Sequence, residues 1–229
     1  MRMKFFAGVA ALALVLISTK SHAQGAAIMT SDAKLFQVVQ NSNASTSWQN
    51  IGPSVAVHTS NSSTLAMSLS IECGLFTSTA VSTTTKSGST SSASAMANAG
   101  VEVRILVNGK PASPGVISFC KRVQTLTQTL SSLFTGLPTD ATTSITLATQ
   151  LDLASLDANS FNFALYTGQG RNVIQAQARL NTGGSSSVSD PTTATASYSA
   201  KAMVQKASMF VNQVNLNNAG STSSIDVAL

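Results

Sequence analysis

Along residues 91–109, SSASAMANAGVEVRILVNG, a small or branched apolar side chain occupies every odd position from Ala93 to Val107. Upstream, in TLAMSLSIECGLFTSTAVSTTT (64–85), Leu65, Met67, Leu69, Ile71 and Cys73 again take odd numbers. Alternation at period two is the mark of a strand with one face buried and one in solvent. Between the two runs lies KSGST (86–90), a turn-like cluster centred on Gly88, and the three together predict a long β-hairpin. The register that brings odd residues opposite odd residues sets Ile71 against Ile105, Cys73 against Val103 and Leu69 against Val107. It also sets Glu72 against Arg104 as a cross-strand ion pair. Gly74 and Gly100 fall at nearly the same level of this ladder, where glycine predicts a bulge or a corner. The Ser, Thr and Ala stretch at 77–99 reads either as a thin β-arm or as a mobile loop.

Shorter strands follow. Asn108-Gly109 is a hairpin signal extended by PASPG (111–115), after which VISFCKR (116–122) returns Cys120 beside the first hairpin. Strands are expected over 123–134, 144–153, 160–166 and 172–180, the last two joined by TGQG (167–170), and one or two more over 197–216. Residues 181–197, NTGGSSSVSDPTTATAS, hold almost no large apolar side chain and predict a flexible loop, and 217–229 a frayed tail. Helical periodicity is weak throughout. The expected fold is all-β: an antiparallel two-sheet β-sandwich with a long β-hairpin arm and one disulfide. An outer-membrane barrel is the rival, ranked lower because only ten aromatics follow residue 23 and they form no pair of girdles.

The first residues change the compartment. Arg2 and Lys4, an apolar run from Phe5 to Ile17, and Ser21-His22-Ala23 have the layout of a secretory signal peptide, 1–23. The apolar run is too short to span a bilayer core of about 30 Å. One secreted domain, 24–229, is then expected, located outside the cell, in the periplasm or at the cell surface. Loss of Arg2, Lys4 and Lys20 leaves ten basic residues against eight acidic, a net of +2. That small, unclustered excess excludes a phosphate-binding face, so no nucleic-acid partner is expected. With two cysteines in the chain and an oxidising compartment, a Cys73–Cys120 disulfide is expected, stabilising the fold by about 4 kcal/mol through loop closure.

The candidate chemistry is sparse. His58 is the one histidine after residue 23, so catalytic triads and transition-metal sites lack ligands, and no cofactor or metal is expected. His58 is read as solvent-facing. Asp152, Asp157 and Asn159 lack calcium-loop spacing and read as turn formers. Glu72 and Glu102, the only glutamates, lie diagonally in the proposed register, about 7–8 Å apart, a spacing that suits an inverting glycosidase. Arg104 beside Glu72 favours the charged carboxylate, the wrong direction for a general acid. Trp48, Tyr166 and Tyr198 are candidate binding aromatics for a sugar or peptide. Asn43-Ala-Ser45 and Asn61-Ser-Ser63 match glycosylation acceptors. The expected function is a non-catalytic surface, matrix or recognition module whose partner is itself, another extracellular protein or a glycan. The alternative is a glycan-acting hydrolase using Glu72 and Glu102.

Overall fold

The computed structural model describes residues 26–85, 89–131 and 144–214; the signal-like segment 1–23 and the tail 217–229 lie outside the described residues. Among the described residues twelve strands make two antiparallel sheets. They are β1 (Ala26–Ser31), β2 (Leu35–Gln40), β3 (Ala44–Ser45), β4 (Gln49–Asn50), β5 (Val55–Thr59) and β6 (Ser63–Thr85). Then come β7 (Thr90–Val107), β8 (Lys110–Pro111), β9 (Ile117–Ser131), β10 (Ile145–Thr167), β11 (Gly170–Val188) and β12 (Ala194–Val214). The first sheet runs β1, β12, β6, β10, with β2 also on β12. In the second, β11 pairs with β7 on one side and with β3, β4 and β5 on the other, while β8 and β9 pair with β7.

The two alternating runs are strands with their odd residues buried, as the pattern predicts. They are not partners in one sheet. β6 pairs with β10 and β12, whereas β7 pairs with β9 and β11, so the chain between Thr85 and Thr90 passes from one sheet to the other. The greasy faces of β6 and β7 still meet, but across the sandwich. Periodicity is satisfied equally by a hairpin and by this arch, because both bury the odd residues. The long hairpin of this protein is instead β7 with β9. The connection opens with Asn108 and Gly109, both at positive φ as a two-residue hairpin loop requires, which pair β7 with the short β8 before the chain reaches β9.

Gly74 marks no corner. β6 keeps an unbroken register with β10 through it, and the absent side chain makes room for Met203 of β12. The register shifts lie in the neighbours, at Gln205 of β12 and opposite Val101–Glu102 in β9. Residues 181–197 are not a loop either: β11 continues to Val188 and β12 begins at Ala194. Only the short turn between them is irregular, with the Thr192 backbone N–H and hydroxyl both donating to Asp190 and lowering its carboxyl pKa. Small side chains there are a packing requirement. Gly184 lies directly under the Tyr198 ring, and Ala95 and Ala97 of β7 leave little space between the sheets.

The core therefore tapers. Its wide half packs Leu65, Met67, Leu69 and Ile71 against Val101, Val103, Ile105, Ile174, Leu180 and Met209. Cys73 and Cys120, with Cα atoms 6.6 Å apart, bridge the two sheets at the edge of this half. Beyond the bridge, 77–85 and 90–99 are strand, not mobile loop; 86–88 lie outside the described residues. The core there is Val81, Ala93, Ala95 and Ala194 with buried Thr77, Thr79 and Thr83. Two buried glutamines of β9 cross the gap. Gln124 accepts from the Thr77 hydroxyl and donates to Thr79 and to the Leu151 carbonyl, while Gln128 donates to Thr83 and to the Leu147 carbonyl.

Candidate functional site

The sandwich separates the residues that the hairpin register had joined. Even residues of β6 and β7 point out of opposite sheets, so Glu72 and Arg104 form no ion pair. Glu72 stands beside Lys206 of β12, and Arg104 beside Gln177 of β11. The same separation parts Glu72 from Glu102. Two packed sheets lie about 10 Å apart before their outward side chains are added, so these carboxylates do not flank one bond. Glu72 lines a groove of about 500 Å³ with Asp32 and Lys206. Glu102 instead binds Arg179 of β11 at 2.5 Å.

On the outer face of the second sheet, the Trp48 ring lies over two guanidinium groups, 4.3 Å from Arg104 and 4.8 Å from Arg179. Arg104 Nε donates to Gln177 Oε1, and Gln177 donates to Asn50. Each charge or amide is already engaged, so the cluster holds the β3–β4 link onto β11, with each cation–π contact contributing about 0.5–1 kcal/mol at such a site. The three aromatics expected to bind are not brought together. Tyr198 is buried at 7% exposure under the sheets, because it fills the space that Gly184 leaves, so it is a core residue. Tyr166 is 71% exposed near the end of β10. His58 is exposed on β5, as expected. Asp152, Asp157 and Asn159 are not turn residues but lie within β10, where Asp152 accepts from Gln150 and Asn159 donates to Cys120 Sγ. Among the described residues no group of three His, Cys, Asp or Glu is placed to hold a metal ion. No helix there is long and apolar enough to cross a membrane.

The unusual feature is β10 itself. It is 23 residues long and pairs with β6 from end to end without a register shift. On its other side, among the described residues, its one backbone partner is Ser113, which exchanges both main-chain bonds with Ala164. Main-chain groups alternate sides along a strand. Ala164 points outward, so every even residue from Thr146 to Asn162 directs its N–H and C=O to the open edge. The side chains are open too. Ile145, Leu147, Leu151, Leu153, Leu156 and Phe161 are all exposed, even where Gln124 and Gln128 of β9 reach the Leu151 and Leu147 carbonyls.

Other sheet edges are blunted in part. β1 and β2 are six residues each, interrupted by Asp32 and Lys34, and the first half of β9 carries Lys121, Arg122 and a bulge. Charge, brevity and bulges are the usual protections of an edge. Residues 145–167 contain no Lys, Arg, Pro or Gly. That absence was the signal in the sequence, and it was missed because LASLDANS lacks the alternation that would join 144–153 to 160–166 as one strand.

No protein-family model matches the chain, and no characterised protein matches it. A solved structure of infectious bursal disease virus, Gx strain, aligns at 11% identity over 81% of this chain and 42% of that one. Its TM-score of 0.11 carries no argument about fold or function.

Proposed function

We propose that this protein is a non-catalytic, exported structural or recognition module, and that its working surface is the free edge of β10. The observation that carries this reading is a long, unbroken strand whose outer main-chain groups and row of leucines are left open together among the described residues. Such an edge is completed by adding a strand from another chain, with main-chain bonds supplying affinity and alternate side chains supplying specificity. The inter-sheet disulfide suits an oxidising setting outside the cytosol. The hydroxyl-rich outer faces keep a weakly charged surface hydrated. A two-carboxylate hydrolase has no comparable support, since Glu72 and Glu102 leave opposite faces.

The test is Ala154→Pro. Its amide points to the open edge, so proline removes a donor from that edge and none from the β6 ladder. In the producing cells, the wild-type protein is expected in the surface-bound or sedimentable fraction, and Ala154→Pro in the free fraction with unchanged thermal unfolding. Equal partition of the two proteins overturns the reading.

A further inference from the structure

We infer that the chain completing β10 is the β10 of a second copy, running antiparallel about a two-fold axis at Ala154. This rests on the edge reading above and adds the occupant and the register.

The register follows from three constraints. First, only even residues offer main-chain groups to the open side, so in an antiparallel pair even residues must face even residues. Asp152 of one copy therefore cannot lie opposite Asp157 of the other. Second, the bridge from Ala164 to Ser113 ends the open edge, leaving Thr146 to Asn162. A two-fold pairing that uses all of it sets Thr146 opposite Asn162, Ala148 opposite Ser160 and Ala154 opposite itself. Third, the charges fit. Asp152 then faces Leu156 and Asp157 faces Leu151, whereas an axis at 152 or at 157 would set an aspartate against its own copy.

The apolar row fits the same register. Leu147 meets Phe161 on both sides of the axis, joining exposed side chains of both copies. The edge contributes about 17 residues per copy, close to the 20–30 per side of a standard interface. Two bonds per even residue give about eighteen main-chain hydrogen bonds, against roughly ten in an ordinary protein–protein interface. A head-to-tail alternative would place β10 against β1 and β2 of the next copy, whose break at Asp32–Lys34 interrupts the ladder. The two-fold pairing is closed and uses identical surfaces, the commonest form of oligomer.

Cysteine cross-linking tests the register. The chain has two cysteines, and both are in the disulfide, so an added thiol is the only free one. At the axis, residue 154 would lie about 5.5 Å from its copy between Cα atoms, within disulfide reach. Ala154→Cys is expected to give a covalent dimer under mild oxidation. Ala148→Cys alone is expected to stay uncross-linked, and to cross-link when mixed with Ser160→Cys. By light scattering, Ala154→Pro is expected to lower the dimer fraction at least tenfold at equal concentration, with circular dichroism unchanged. A wild-type protein that stays monomeric at millimolar concentration overturns the inference. So does an Ala148→Cys dimer more abundant than the Ala154→Cys one. If Ala154→Pro releases the protein from the cell surface but Ala154→Cys does not cross-link, the edge reading stands and the second copy is ruled out as its occupant.

Discussion

Gln124 and Gln128 make a controlled comparison within one core. Both are buried glutamines of β9 reaching across to β6 and β10, four residues apart on the same face. Gln124 is fully used: its carbonyl oxygen accepts from Thr77, and its amide donates to Thr79 and to the Leu151 carbonyl. Gln128 makes only the two donor bonds, and its Oε1 is buried without a partner. At about 1 kcal/mol per net hydrogen bond, Gln124→Leu loses about 3 kcal/mol and strands two threonine hydroxyls, offset in part by the added apolar burial. A net loss of about 2–3 kcal/mol is expected. Gln128→Leu loses two bonds but also removes an unsatisfied carbonyl, itself worth about 1–3 kcal/mol, so its net effect is about 0–1 kcal/mol. Urea unfolding of the two variants measures the difference. In thermal unfolding, Gln124→Leu should lower Tm by about 4–12 °C for a chain of this size. Equal effects, or a larger loss at Gln128, would refute the idea that satisfied polar bridges hold the narrow half together.

Replacing Cys73 and Cys120 together by alanine frees a 47-residue closure; chemical denaturation should show a loss of about 4 kcal/mol, and a loss under 1 kcal/mol would contradict the loop-closure account. Gly184→Ala places a Cβ against the Met96 carbonyl oxygen and the Tyr198 ring. Because backbone must move, about 3 kcal/mol or more should be lost. Gly168→Ala, with open space around its Cβ, should stay within about 0.5 kcal/mol of wild type, and calorimetry of the pair separates packing from generic glycine loss.

Much of the local structure could be read without coordinates. The odd positions of 65–73 and 93–107 are buried, Asn108-Gly109 turns a hairpin, and Cys73 bonds Cys120. Two of the differences share one origin. Residues 181–197 read as a loop because they lack large apolar side chains, yet small residues are what the narrow half of the sandwich admits beside Gly184 and Tyr198. Likewise Tyr198, placed among candidate ligand-binding aromatics, is what fills that narrow space.

What the sequence alone determined was which side chains of the two alternating runs point inward, that those two strands are long, and which sulfurs join. Hydrophobicity is a property of each residue and reports burial one position at a time. What only the tertiary structure decided was adjacency: that β6 and β7 face each other across two sheets, that Glu72 and Arg104 leave opposite faces, and that among the described residues β10 pairs along its length on one side only. Sheet neighbours are chosen through main-chain N–H and C=O groups, which are alike at nearly every residue, so the choice leaves little mark on the side chains. It is set by the competition among all strands for those groups, and among the described residues β10 is the long strand paired from end to end on one side only.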